Sequence, residues 1–347
     1  MQNEPRSHHF VPQLLLRGFA SRQKGVGRKR QYFAWHYRKE AEPHEPNIKG
    51  IGQIRDFHGA PSDSQLEEQI ANLEGRFGSL VHGLRTLRVL NAEQLPVLLQ
   101  FVAHLMIRTR NLRDGTAAIG PVMMDGIEQV FHNSENRQAL LARLRPGIQE
   151  GLAEDPVFRL VAEALGIPGD ALMEFAMSKL SETPIDTLIS GAVEQMRAAT
   201  DFPMIARGAH LKALACEESI LTRTEQLRTL RWTLCEYAPQ SLVLGDAVVL
   251  ARRSDTPFDL PLLVQPDYFE IAVPIAHDLL LFGGASDLVQ PDVELINETS
   301  AAISREWFVA SRRTPVEENL HKRVLGTRCA YLRDGDVRAL MDHTFNR

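Results

Sequence analysis

The sequence predicts an α+β fold in which β-containing N- and C-terminal segments pack together and the middle is mostly helical. Three observations predict it. Residues 1–60 are rich in His, Arg and aromatics, and QYFAWHY (31–37) has the bias of a strand. From Ser64 to about residue 228 apolar residues recur at steps of three and four. After Trp232 short apolar runs alternate with turn residues. The 347 residues are then read as a single composite domain: a basic β-containing segment (1–60), a helical region (64–228) and a β-rich segment with a late helix (229–347).

The elements follow in chain order. Pro12 suits the first turn of a short helix through Leu14–Leu16, which Gly18 weakens or ends. Gly25-Val26-Gly27 reads as a turn before the aromatic strand. Residues 40–61, with three prolines and three glycines, are expected to be irregular. Leu66, Ile70, Leu73, Phe77, Leu80, Leu84 and Leu87 then form one apolar stripe, and Ser64 with Glu67 carries a capping-box signature. AEQLPVLLQFVAHLMIRTRNLRD predicts a second helix. Further helices are broken near Pro146, Pro156, Pro168, Pro184 and Pro203. SLVLGDAVVLA (241–251) and YFEIAVPIAHDLLLFG (268–283) read as strands, and a last helix is expected within 292–312, around Asn297 and Trp307.

Charge and composition narrow the function. The net charge is −5, yet residues 1–60 hold 11 Lys/Arg against 5 Asp/Glu, and five of the basic residues fall within Arg22–Arg30. This is either a solvated hairpin tip or a patch for phosphates, and the acidic remainder opposes strong non-specific nucleic-acid binding. No apolar run reaches the roughly 18 residues of a membrane span, and the start lacks a signal-peptide pattern. Cys216, Cys235 and Cys329 are too few and too scattered for a disulfide framework or zinc knuckle, so a cytoplasmic protein is expected. GxxxxGK[ST], GxGxxG opening a helix, GxSxG and HExxH are all missing, which removes most of the weight from P-loop, Rossmann, α/β-hydrolase and zincin chemistry.

Three constellations carry chemistry. The first is His8-His9, followed by two apolar residues and Pro12. The pair is either two histidines that hydrogen-bond internally and fix the amino terminus, or a catalytic pair: it resembles the first strand of His-Me finger nucleases, where one residue can bind metal and the next activates water against phosphate. The second metal ligand of that motif should lie on a later helix; Asn47 and His58 are the nearest by type, but their glycine-containing surroundings have no helical period. The second is a polar seam, Gln100, His104, Arg108 and Asn111, spaced +4, +4 and +3 on an otherwise apolar helix. It is either a solvated face or one wall of an anion site with Arg108 as clamp. The third is Asp246, a turn aspartate beside Gly245 or a carboxylate that orients a histidine or binds metal. Glu67 and Glu74 share a helix face, but Glu67 already serves the capping signature. Cys216 and Cys235 have no adjacent base and read as inert thiols.

Taken in order, HHFVPQLLLRGFA, LEEQIANLEGRF, LLQFVAHLMIRTRNLRD, LRWTL with SLVLGDAVV, and INETSAAISREWF make the chain resemble a bacterial family catalogued as domain of unknown function 4238, over about residues 7 to 312. The family pattern maps onto His8, His9, Pro12, Leu16, Arg17, Phe19, Glu67, Arg108 and Asp246. Gly245-Asp246-Ala247-Val248 stands where that family has Ser-Asp-x-Pro, and His58 stands where it has an aromatic. The resemblance implies a bacterial cytoplasmic protein and no particular activity, but it raises His8, His9, Arg17, Arg108 and Asp246 together.

Two classes of function follow as expectations. One is a metal-assisted phosphodiesterase or nuclease, serving in phage defence or as a toxin. His9 is its base, His8 and Asp246 hold a divalent metal ion, and Arg17, His104 and Arg108 bind the phosphate of a nucleic acid or other ligand. The other is a non-catalytic binding or regulatory protein with structural histidines, whose helical region meets a protein partner. Under the first, His8 or His9, Arg108 and Asp246 converge within hydrogen-bonding or one-water reach, and at least one titrates abnormally.

Overall fold

A computed structural model describes residues 7–55, 57, 64–132, 146, 150–151, 153–182, 185–253, 256–261, 268–285 and 289–329. His58 lies outside them, and so do the side chains of Ser64 and Glu67, the expected capping pair. The fold is α+β, with strands near both ends and helices between. Two compact units are present: Met1–Ala117 with Pro203–Leu332, and Ala118–Phe202 with Arg333–Arg347.

In the first unit, β1 (Ser7–His9) pairs antiparallel with β5 (Gln53–Arg55), with His9 opposite Gln53. Between them run α1 (Gln13–Leu16), a 3-10 turn at Arg17–Phe19, and the hairpin of β2 (Arg22–Lys24) and β3 (Gln31–Phe33). The expected strand 31–37 is two strands, because Ala34 separates β3 from β4 (Trp35–Arg38). α2 (Ser64–Leu87) follows, and its stripe buries Ile70, Phe77, Leu80 and Leu84. α3 (Leu95–Ile107) is nearly all apolar and packs on α2 and on α9 (Glu217–Arg228).

The second predicted helix is broken. α3 stops at Ile107, Arg108 is its C-cap, and α4 (Arg110–His132) begins after Thr109. Thr109 Oγ1 accepts a hydrogen bond from the Leu112 amide at 3.2 Å, an N-cap that starts a new helix instead of continuing the old one. The +4, +4, +3 seam therefore bends at Arg108.

The C-terminal part supplies β6 (Arg231–Glu236), β7 (Leu244–Gly245), β8 (Leu250–Arg252), β9 (Glu270–Ala276), β10 (Leu279–Gly284) and β11 (Trp307–Ala310). One sheet has the order β6-β10-β9-β8, and another joins the two ends of the chain as β4-β11-β7. Pro274 is tolerated inside β9 beside a register shift at Leu279/Leu280. The late helix, α10 (Val293–Ile303), is shorter than expected: Ser304 caps it, and Trp307 opens β11 instead. The Trp-Phe-Val run favours a strand, and Phe308 stacks on Tyr37 at 4.6 Å between ring centres in the core. α8 (Phe202–Ala215), from Pro203 on, also belongs to this unit, and α11 (Pro315–Asn319) closes it with a wide-turned segment at Leu320–Val324.

In the second unit, α5 (Pro156–Leu165), α6 (Gly169–Glu182) and α7 (Ile185–Ala199) follow the end of α4. Pro156 occupies the first turn of α5 and Asp155 caps it, so this proline starts a helix. No described helix is long and apolar enough to cross a membrane.

Candidate functional site

Gly18 sets how the turn that carries Arg17 packs. A Cβ there would collide with the Arg85 guanidinium and the Ile275 carbonyl, so only glycine lets the turn after α1 approach so closely. Through this contact Arg85 donates to the carbonyls of Leu14 at 2.8 Å, Leu15 at 3.1 Å and Ile275 at 2.7 Å. The Arg-Gly-Phe of the opening motif thus seats α1 against α2 and β9, with Phe19 fully buried beneath.

His9 ends β1, and its imidazole is held at both nitrogens. Nδ1 lies 3.0 Å from the Ile51 carbonyl, so it carries the proton and donates. Nε2 then accepts from the side-chain amides of Gln13 at 2.7 Å and Gln53 at 3.1 Å. Burial lowers the His9 pKa, and the Arg108 charge adds to this, while the Ile51 bond and Glu74 oppose it. His9 is therefore a neutral, oriented imidazole at neutral pH.

His9, Gln13 and Arg17 form one wall of a cleft of about 620 Å³. Glu74, Gly75, Gly78, Ser79 and His82, one face of α2, form the other. A Cβ added at Gly75 or Gly78 would meet nothing within 4 Å, so the two glycines leave the groove open. Arg17 is exposed and lies over the Tyr32 ring, 5.7 Å from its centre.

Arg108 sits behind this cleft. Its buried guanidinium donates to the His9 carbonyl and to Glu74 Oε1 at 2.5 Å. It thereby fixes the backbone of one wall and a carboxylate of the other, and acts through them. His104, expected to bind an anion, is 1 % exposed, and neither ring nitrogen has a partner among the described residues. Burial first, then Arg108 and His210, push its pKa down to about 3. It lines no part of the cleft.

His8 pairs through its backbone with Ile54 and lies on the strand face opposite to His9. Asp246 is not among the residues that line the cleft. It follows β7, is 1 % exposed, and its oxygens accept from the amides of Arg305 at 2.7 Å, Glu306 at 2.8 Å and Trp307 at 3.3 Å. Its pKa is nonetheless pushed up to about 6 by burial, which outweighs those bonds. The same turn receives Asn111, whose side chain donates to the Ile303 carbonyl at 2.8 Å. So the structure joins His9, Arg17 and Arg108 around one cleft, and Asp246 and Asn111 around one turn. Among the described residues no group of three or more His, Cys, Asp or Glu side chains is arranged to hold a metal ion.

Gln13, Gln53, Ser79, His82 and Arg85 stand out in no motif of the sequence. Part of the signal was available: 75, 78, 79 and 82 are spaced +3, +1 and +3, a small and polar face opposite the apolar stripe of α2. A family model described as "Protein of unknown function (DUF4238)" matches residues 7–314. No curated protein and no solved structure matches the chain.

Proposed function

The chain belongs to the DUF4238 family, and from the cleft described above we propose that it is a phosphodiester hydrolase with His9 as its base. The observation that carries this reading is the neutral His9 imidazole, oriented through Nδ1 by the Ile51 carbonyl, at the wall of a cleft that also holds Arg17. Nε2 is the nitrogen available to chemistry once a ligand displaces the Gln13 or Gln53 amide. It takes a proton from water as the oxygen attacks phosphorus. The bond to the leaving oxygen breaks, His82 on the opposite wall relays a proton from solvent to it, His9 releases its proton to water afterwards, and Arg17 balances the phosphate charge. Arg108 is a positioning residue that keeps the His9 backbone and Glu74 in place.

The test is a panel of DNA, RNA and bis(4-nitrophenyl) phosphate, with Mg²⁺, Mn²⁺, Zn²⁺ or chelator. The metal arm asks whether a divalent ion takes part. His9→Gln is expected to lower turnover by about 10²–10⁴-fold. Cleavage that survives His9→Ala removes the proposal.

A second reading, non-catalytic binding, is favoured by one observation: two glutamine amides already hold His9 Nε2. It expects ligand binding in the cleft without turnover under every metal condition.

A further inference from the structure

A second cleft, of about 310 Å³, adjoins the first and shares Arg17 with it. Arg22, Tyr32, Arg85, Arg88, His277 and Asp278 are among its other lining residues. Its charges do not cancel. Arg22 pairs with Glu45 at 2.5 Å, and Arg88 with Asp278 at 2.8 Å. Arg85 meets backbone carbonyls, and Arg17 meets only the Tyr32 ring, so neither has a carboxylate partner among the described residues. Arg88 Nη1 is buried without a partner among those residues. Two positive charges are left over inside a concave surface, which concentrates their field.

The positive charge continues outward. Lys24, at the end of β2, and Lys29 and Arg30, before β3, are exposed and have no ion-pair partner among the described residues. A compact anion would fill one cleft and leave this row unmatched. A row of cations leading into two clefts that share an arginine matches phosphates in series. Tyr32 adds an aromatic face inside the cleft, which suits an unpaired base; in a duplex the base faces are already stacked.

We propose that the second cleft and the β2–β3 hairpin hold the phosphate backbone of a single-stranded polynucleotide and lead it to the His9 cleft. This rests on the hydrolase reading and names its substrate class. Arg17 is the shared contact, bridging the phosphate at the reacting position and its neighbour.

The experiment measures fluorescence anisotropy of labelled single-stranded and duplex 12-mers on the full chain between 50 and 200 mM salt. Inorganic phosphate serves as competitor, and bis(4-nitrophenyl) phosphate turnover is followed in parallel. The single strand is expected to bind more tightly than the duplex, and millimolar phosphate to compete weakly. A Lys24→Gln, Lys29→Gln, Arg30→Gln triple variant, checked for an unchanged melting temperature, should bind at least about tenfold more weakly. Its plot of log affinity against log salt should flatten by about 2, at roughly 0.7 per lost phosphate contact. Tyr32→Leu should weaken the single strand, and Tyr32→Phe should retain it. The proposal is overturned if the triple variant binds with wild-type affinity and slope, if the duplex is preferred, or if no polynucleotide binds. Absent turnover with salt-dependent, hairpin-dependent binding defeats only the hydrolase reading. Turnover of the small diester with no effect of the hairpin variant defeats only this one.

Discussion

The His9 cleft and the Asp246 turn use similar side chains to opposite ends. Both place an ionisable group against main chain from a distant part of the sequence. At the cleft, His9 is fixed on one side by a carbonyl and faces a groove on the other. At the turn, both Asp246 oxygens are filled by three amides, and its own amide reaches Ser304 Oγ and the Trp307 carbonyl. The difference lies in unused bonding capacity. A group whose partners are displaceable and open to a groove can meet a ligand, whereas one saturated by backbone holds the fold.

Acid should have the largest effect, through histidines buried away from either cleft. Burial, foremost, sets the pKa of His36 at about 4, His104 at about 3 and His210 at about 4. Between pH 6.5 and about 4 the unfolded chain binds a proton at each of these histidines and the folded chain does not. Stability is therefore present above pH 6.5 and falls as pH falls through that window, by up to about 1.4 kcal/mol per pH unit per histidine. Asp246 works in the opposite sense: its folded pKa near 6 lies above the ordinary 3.8, so between those values it offsets one of the three. Urea unfolding at a series of pH values should show the loss, and His104→Leu should make it shallower. A midpoint constant from pH 6.5 to 4 would contradict the assignment of these histidines as buried and neutral.

Removing the turn's carboxylate comes next in size. Asp246→Ala leaves the amides of Arg305, Glu306 and Trp307 without their acceptor, at about 1–3 kcal/mol for each that stays buried. The expected loss is about 3 kcal/mol or more in the unfolding free energy. His82→Ala, an exposed position on the cleft, should change it by less than about 0.5 kcal/mol. Equal effects at the two positions would erase the distinction between cleft and turn.

How legible each region was depends on whether its signal was local. Period and composition identify α2, strand structure within 268–283 and the α+β class, because burial of one stripe or one run follows from side-chain type alone. The split at Thr109 is not legible in the pattern, since an apolar run through Met106-Ile107 hides a capping threonine worth one hydrogen bond. The sequence around Trp307 reads as helix because its strand depends on pairing with β4, some 270 residues earlier, and with β7, some 60 residues earlier. For the site, the opening motif pointed to His9 and Arg17, and both line the cleft. Asp246 was grouped with them by residue type; its three amide partners lie about 60 residues on and leave no mark in the sequence around it. Residue type indicates what a group could do, and only the partners show which use the fold makes of it.

Two glycines bring the same comparison down to a single methyl group, the smallest effect expected. Gly78 lies in the middle of α2, on the cleft, and a Cβ there meets nothing within 4 Å. Gly78→Ala removes backbone freedom from the unfolded chain and adds a good helix former, so it should stabilise by about 0.5–1 kcal/mol. Gly245 precedes the turn, and a Cβ there would collide with Ser304 Oγ and the Ser300 carbonyl. Gly245→Ala should destabilise by about 1–3 kcal/mol, since the obstructing carbonyl belongs to the backbone of α10 and cannot rotate away. Gly78→Leu extends the test to function: its side chain projects into the groove, so ligand binding or turnover in the cleft should fall while the melting temperature holds. A Gly78→Leu protein that keeps full activity would mean that the open face of α2 is not where the ligand sits.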